Sequence, residues 1–493
     1  MLERNAVKVA RSVLMGVRPG DGLAYQTRCV NKDRQIILIY DTEVIKMATR
    51  KFKPTWESVK THTVPTWYDD CKLGIFIHWG PYSVPAFAPP SCELGDIPLD
   101  EGWFCNNPYA EWYLNSIRTK KGPSYEYHIN KYGETFDYEN FTYMWKAEKW
   151  NPGEWAELFK KAGAGYVVLT TKHHDRFRLC PTRYTDFNSA KRGPERDLMG
   201  ELTAAVRNAG LKMGAYYSGI LDWSYTSEPI LEDDDLRTLA PITNAYADYA
   251  YNQVTELIDR YKPSVLWNDI GWPVKGVEDL KHLFAHYYNT VEEGVVDDRW
   301  NDVWCDFTSK EYGLGDMNVE KKWEMCRGIG YSFGFNAMED EKQILSSRGL
   351  VSLLVKTVSH NGNLLINIGP KADGTIPEIQ KDRLLAMGAW LAENGEAIYG
   401  TRPYIRQYEK TTSGAEVFFT KKDNDLYIIL DNLKAGNNEI AVGGITAAAG
   451  RASFLGGKKR GTFKDTAEGL AVTLENLKEQ PLAVVVKLSG YIG

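Results

Sequence analysis

No apolar run in this chain of 493 residues approaches the ~20 residues that a membrane-spanning helix needs, and no membrane partner is expected. Cysteine is scarce. The seven residues Cys29, Cys71, Cys92, Cys105, Cys180, Cys305 and Cys326 are odd in number and contain no CxxC pair. That excludes a disulfide framework and a zinc knuckle, and predicts free thiols in a reducing compartment. The opening MLERNAVKVARSVLMG lacks the apolar core and small-residue cleavage site of a signal peptide, so a cytoplasmic location is the expectation. There is no basic excess: 59 Lys and Arg face 65 Asp and Glu, a net charge of −6, which argues against nucleic acid as a partner. Internal repeats and low-complexity tracts are absent. No tryptophan follows Trp390 although the chain holds 15, so composition alone sets the C-terminal part aside.

What is present is a large apolar fraction, 43% of residues, enough for a sizeable core in a chain whose length suggests two or three domains. The 29 tyrosines and 15 tryptophans suit the apolar faces of sugar rings, although most such residues serve cores.

Residues 1–50 read as an N-terminal extension of unknown role, in which RQIILIYDTEVI suits one strand without a partner pattern. From residue 51, short apolar runs alternate with amphipathic helices. LGIFIHWG (73–80) reads as a strand ending in a glycine turn. The loop-rich stretch 81–140 is too long for a simple connection and is expected to carry function. A helix over 155–162 leads to a second strand, GYVVLTTKHH (165–174); a helix over 198–209 leads to a third at 212–219; a helix over about 242–261 leads to SVLWND (264–269), where an apolar run stops at an acid. Strand candidates follow at 302–307 and 323–326, then a helix over 350–358 and the buried strand NLLINIG (363–369). Thr375-x-x-Glu378, with Pro377 in the first turn, is a capping box for a last helix ending at Asn394-Gly395. Repeated strand–helix units with polar residues at the carboxyl ends of the strands predict an α/β fold, a (β/α)8-like barrel over 51–400. Beyond it EVFFTKK, DLYIILD, NEIAVGG, AVTLENL and LAVVVKL alternate between turn residues, predicting an antiparallel β-sandwich over 401–493. GGKKRG (456–461) reads as a solvated turn or an anion site.

In a strand, Val265, Trp267 and Asp269 share one face, and barrel enzymes place chemistry at that end of a strand. The alternative is a solvated Asp opening a loop. Gathered at one mouth, His78, Trp79, His173, His174, Tyr216 and Asp269 would form a polar, aromatic-walled cup. The histidine pair suits a metal, structural hydrogen bonds or sugar hydroxyls. Adjacent strand residues point to opposite faces, a zinc-type shell usually needs a carboxylate or cysteine to complete it, and no CxxC or HExxH motif helps the pair, so no metal is expected.

Several stretches together resemble the α-L-fucosidases of glycoside hydrolase family 29, nearest its broader-specificity bacterial members. They are GIFIHWGPYSVPAF (74–87), YAEWY (109–113), YVVLTTKHHDRF (166–177), GAYYSGILDW (214–223), VLWNDIGW (265–272), RGIGYSFGFN (327–336) and NGNLLINIGPKADGTIP (361–377). The likeness runs from about residue 51 to the end. It implies a catalytic barrel with a C-terminal sandwich, retaining hydrolysis of terminal α-L-fucosides, and no metal or organic cofactor. The implied partners are fucosylated oligosaccharides or glycoconjugates; whether the chain forms a homo-oligomer stays open. By motif, the resemblance makes Asp269 the nucleophile and points to Glu311, in DFTSKEYGLGD, as general acid/base. It implies that His78, Glu111, Trp112, His173 and His174 bind fucose hydroxyls, and that Tyr216 lies near the nucleophile. Trp103 and Tyr109 would wall the pocket, Trp267 and Phe335 would face the apolar side and methyl group of the sugar, and Arg299 would support the acid side. The sequence departs from the family at Arg176, where Gly is usual and a long side chain is expected to narrow the entrance, and at WNDIG, which replaces aromatic–Asp–Gly. Residues 1–46 have no expected counterpart.

A retaining glycosidase needs two carboxyl groups ~5–5.5 Å apart, one attacking as a carboxylate, the other donating a proton and then accepting one. Asp269 on a strand between indoles suits the first role, and Glu311 on a loop the second, with Glu111, Glu320 and Glu339 as rivals. A barrel glycosidase for a related sugar such as an L-galactoside, or a non-catalytic carbohydrate-binding protein, are the alternatives. Because residues 1–46 lack a partner pattern, a chain beginning at Met47 is expected to fold and keep full activity. A large drop in melting temperature on truncation would show instead that the segment is packed.

Overall fold

The computed structural model describes residues 31–32, 35–36, 51–313, 320–447, 451–456, 461–479 and 481–492. The chain divides into two units, Met1–Lys51 and Phe52–Gly493. In the first, Asn31–Lys32 pairs antiparallel with Gln35–Ile36. The rest of the RQIILIYDTEVI strand reading lies outside the described residues, as does most of the GGKKRG turn.

In the second unit, eight parallel strands form one curled sheet. They are β1 (Leu73–Ile77), β2 (Tyr166–Lys172), β3 (Lys212–Ser218), β4 (Val265–Asp269), β5 (Val295–Val296), β6 (Thr308–Glu311), β7 (Trp323–Gly328) and β8 (Gly362–Ile368), in the order β5-β4-β3-β2-β1-β8-β7-β6. The first and last strands meet: Leu73 is in register with Leu364, and Ile77 with Ile368. Among the described residues β5 and β6 do not pair, so a seam runs between them. Strands β1, β2, β4 and β8 are buried along their whole length. Their near-continuous apolar runs reflect that both faces are covered, each fully buried Val, Leu or Ile contributing about 1.5–3 kcal/mol.

Local chemistry sets the helices. Helix α1 (Pro152–Lys161) starts at Asn151, whose Oδ1 accepts the Gly153 and Glu154 N–H groups, with Pro152 in the first turn. Asp197 caps α2 (Leu198–Asn208), Thr243 caps α3 (Asn244–Tyr261) and Ser346 caps α5 (Ser347–Ser359). Helix α4 (Leu280–Thr290) follows β4, and α6 (Glu378–Asn394) follows β8. No helix among the described residues is long and apolar enough to cross a membrane.

Two local expectations are corrected, and one strand has no sequence signal. Residues 302–307 form no strand; the strand is Thr308–Glu311, so Glu311 ends a strand instead of sitting on a loop. Strand β5 is two residues long, too short to leave a pattern. The capping box before α6 does not form: Pro377 occupies the cap without a side-chain bond, and the Thr375 hydroxyl donates to Asp373 instead, at 2.7 Å.

From Arg402 the strands are antiparallel. β9 (Arg402–Lys410), β10 (Glu416–Lys422), β11 (Asp425–Asp431), β16 (Val484–Ser489) and β13 (Arg451–Phe454) form one sheet in that order; β12 (Gly436–Gly443), β15 (Gly469–Leu477) and β14 (Gly461–Asp465) form the other. Val417, Phe419, Ile428, Ile440, Val472 and Val486 lie in the core shared by the two.

Helices α1 and α6 approach so closely at Gly388 that a Cβ there would lie 1.9 Å from the Lys161 carbonyl oxygen. Backbone cannot yield as a side chain can, so Gly388→Ala should lower stability by about 1–3 kcal/mol, read as a fall in the urea midpoint at unchanged slope.

Candidate active site

The carboxyl ends of the strands meet at a cavity of about 190 Å³, small beside the ~300–1,000 Å³ of pockets that take drug-sized ligands and suited to a single sugar ring. Its lining brings together His78, Trp103, Tyr109, Glu111, Trp112, His173, His174, Tyr216, Trp267, Asp269, Arg299 and Glu311.

Asp269 ends β4, and its carboxylate is saturated with donors. Oδ2 accepts the Tyr216 hydroxyl at 2.6 Å; Oδ1 accepts Arg299 Nη1 at 2.6 Å and the Ile270 N–H at 2.9 Å. Burial pushes this acid up, but the Arg299 charge and the hydrogen bonds from Tyr216 and Arg299 outweigh it and hold the carboxyl below its ordinary value. Glu311, at the end of β6, takes Arg299 Nη2 on Oε2 at 3.2 Å and the Tyr109 hydroxyl on Oε1 at 3.1 Å. Here burial, opposed by Arg299 and reinforced by the Asp269 charge, leaves the acid above its ordinary value. One guanidinium thus bridges two carboxyl groups with opposite tendencies. Arg299 is fixed in turn by Nε donating to Ser309 Oγ at 3.0 Å and by the Trp267 ring 4.7 Å beneath it.

The histidines are neutral acceptors. His78 Nδ1–H donates to Asn367 Oδ1 at 2.7 Å, since Asn367 Nδ2 is spent on the Phe333 carbonyl, leaving Nε2 unprotonated; burial brings the His78 pKa down to about 4. His174 Nδ1–H donates to Ser218 Oγ at 2.7 Å, because that hydroxyl donates to the Leu221 carbonyl, and Nε2 lies 3.9 Å from Asp269 Oδ2. Burial also holds His173 and His174 well below their usual value. Strand β2 stops at Lys172, so the two histidines lie past it and do not diverge: both face the cavity, rings 3.9 Å apart. Among the described residues no group of three or more His, Cys, Asp or Glu side chains is arranged to hold a metal ion.

Glu111 accepts the Gly334 N–H at 2.7 Å, and burial raises its pKa to about 8, so it is protonated at neutral pH and able to donate. Trp112 packs edge-on against His174 at 5.2 Å. The buried Trp103 Nε1 and His173 Nδ1 have no partner within the described protein. Trp267 is pinned from below, its Nε1 donating to Glu324 at 3.0 Å, while Tyr68 and Tyr166 donate to the same carboxyl.

Phe335 does not line the cavity; it lies half-buried with Lys371 5.8 Å from its ring. Phe333 lines it instead, 4.8 Å from His78 and 5.5 Å from Tyr109. The SFGFN segment bends at Gly334, which packs against Glu111, so the ring that turns inward is Phe333 and not the Phe335 that the resemblance implied. Trp79 joins the outer tryptophan cluster, its Nε1 donating to the Lys371 carbonyl. Arg176 does not narrow the entrance: its guanidinium stacks 4.2 Å over Phe187 and pairs with Glu139. Of the rival acids, Glu320 is exposed, and Glu339 accepts the Ser332 N–H at 2.7 Å outside the lining. Sequence reasoning missed Phe76, Phe104 and Cys326, and the aliphatic residues Leu94, Leu99, Leu236 and Ile270. Parity with His78 marks Phe76; the leucines sit on segments with no periodic signal.

The α-L-fucosidase family model matches residues 40–396, which takes in residues 40–46 and corrects the expectation that they have no counterpart. The α-L-fucosidase of Dictyostelium discoideum is 34% identical over 433 residues, 82% of this chain and 88% of that protein. Human tissue α-L-fucosidase is 32% identical over 464 residues, 90% of this chain and 92% of its own. The structure of a Thermotoga maritima α-L-fucosynthase in complex with α-L-Fuc-(1-2)-β-L-Fuc-N3 shares 51% identity at a TM-score of 0.84, over 89% of this chain and 100% of that one. Matched along most of its length by family, relatives and fold, this chain belongs to the α-L-fucosidases of glycoside hydrolase family 29.

Proposed function

We propose that this protein is a retaining, exo-acting α-L-fucosidase with Asp269 as nucleophile and Glu311 as general acid/base. The observation that carries the reading is the Arg299 bridge between one carboxyl held low and one held high. A single guanidinium between the two favours the close spacing of retaining enzymes, about 5–5.5 Å, over the wider spacing of inverting ones, about 6.5–9.5 Å.

Asp269, ionised, attacks the anomeric carbon. The bond to the leaving oxygen breaks as that oxygen takes the Glu311 proton, leaving a β-linked fucosyl ester on Asp269. Glu311, now a carboxylate, takes a proton from water; the water oxygen attacks the anomeric carbon from the opposite face, the ester bond breaks, and α-L-fucose leaves. Neutral His78 and His174 present acceptor nitrogens to sugar hydroxyls, and protonated Glu111 presents a donor. The small cavity supports removal of one terminal unit. An L-galactoside differs only by a hydroxyl on the methyl, which an apolar wall rejects by ~10²-fold. The presence of both carboxyl groups disfavours a non-catalytic sugar-binding role.

A 2-fluoro fucosyl reagent should label the peptide containing Asp269, and released fucose should appear first as the α anomer by NMR; an adduct on another peptide, or the β anomer, would overturn the assignment.

Turnover needs Asp269 ionised and Glu311 protonated. Activity should therefore fall as pH drops through the lowered pKa of Asp269 and as it rises through the raised pKa of Glu311. Glu311→Ala should abolish the alkaline limb and lose ~10²–10⁴-fold on alkyl fucosides, far less on activated aryl fucosides, with azide restoring turnover as α-fucosyl azide. The same pattern in Glu339→Ala, with Glu311→Ala unaffected, would show the wrong carboxyl had been chosen.

A further inference from the structure

Exposure sorts the cavity lining into a floor and a rim. The sugar-facing polar groups and aromatic rings are buried, whereas the partly exposed lining residues are Leu94, Leu99, Leu236, Ile270, Arg299 and Glu311. On the reading that Glu311 donates to the departing oxygen, whatever leaves must pass over this rim. Four of its six members are aliphatic. The other two are engaged, Arg299 with Asp269, Glu311 and Ser309, and Glu311 with Tyr109. Among the described lining residues, a polyhydroxylated leaving group finds only Arg299 and Glu311 as hydrogen-bonding side chains on the rim, both already engaged, while an apolar one finds a collar.

Ile270 supplies an independent observation. Its φ is +62°, the left-handed region, which a β-branched residue occupies only at a cost. The turn aims the Ile270 N–H at Asp269 Oδ1, but glycine would make that bond without strain. The isoleucine side chain therefore needs its own reason, and it lines the rim. Strain held at a site points to function there. The other three come from two segments far apart in the chain: Leu94 and Leu99 from the long stretch between β1 and β2, and Leu236 from the short helix Asp235–Thr238.

We propose that Leu94, Leu99, Leu236 and Ile270 form a leaving-group subsite for apolar aglycones, so that the preferred substrates are α-L-fucosides of alcohols with an alkyl or aryl skeleton. The chemistry is unchanged; the collar binds the carbon skeleton of the alcohol that takes the Glu311 proton.

Methyl, butyl and octyl α-L-fucosides test this with the unmodified enzyme. The longer alcohols are close in acidity, so chain length adds apolar surface with little change in the demand on the acid. A fully buried methylene is worth roughly fourfold, and a partly exposed collar less, so kcat/KM should rise at least about tenfold from methyl to octyl. Leu236→Asn and Ile270→Gly should each pull the octyl-to-methyl ratio toward one. Misfolded enzyme lowers both rates alike and cancels in that ratio. A flat series in the unmodified enzyme, or a ratio untouched by both substitutions, overturns the subsite while leaving the fucosidase reading intact. No hydrolysis of any fucoside, activated aryl fucosides included, overturns the fucosidase reading itself.

Discussion

The site depends on where one guanidinium can reach. Arg299 holds Asp269 with one terminal nitrogen and Glu311 with the other, and is itself held by Ser309 and the face of Trp267. Two carboxyl groups brought this close in a poorly hydrated pocket repel each other, and neither is easily ionised alone. A fixed cation lets one stay ionised, while burial and the neighbouring charge keep the other inclined to hold its proton. The division of labour arises from unequal donors: Asp269 has Tyr216, Arg299 and the Ile270 N–H at 2.6–2.9 Å, whereas Glu311 has two contacts beyond 3 Å.

Beneath that pair the support is aromatic and acidic. Trp267, on which Arg299 lies, is fixed by Glu324, a buried carboxyl that takes three donors and whose pKa burial raises to about 7. Around it, Tyr216 stacks on Trp267 at 5.6 Å and Phe76 packs at 5.2 Å. Rigid rings suit this layer because they lose little conformational freedom on burial while filling volume.

Much of this was legible in the sequence where period and strand polarity govern. The β1 to β4 runs and NLLINIG announce a buried parallel sheet, and His78, Tyr216 and Asp269 stand at the ends of their strands because barrel topology puts them there. The antiparallel strands after residue 400 were equally plain from alternation. What stayed hidden is set by tertiary contact. Strand β5 has two residues and β6, TSKE, no apolar pattern, so the ladder to β7 decides that Glu311 ends a strand. Phe333 and Phe335 share a parity, and only the bend at Gly334 decides which ring turns inward. The histidine pair converges because β2 stops one residue before it, a boundary that no propensity marks.

The seam between β5 and β6 has a mechanical meaning. Asp269 stands on the sheet at one side of it, next to β5, and Glu311 ends the strand on the other, so no shared backbone ladder joins them directly. Across the seam the connections are the Arg299 ion pairs and side-chain bonds such as those from Ser309 to Asp298 at 2.7 and 2.9 Å, in place of a strand ladder. The spacing of nucleophile and acid is therefore set by side-chain contacts around Arg299 and not by strand register. The sheet is a hydrogen-bonded frame with one interval among the described residues closed by side chains, and the two carboxyl groups face each other across it.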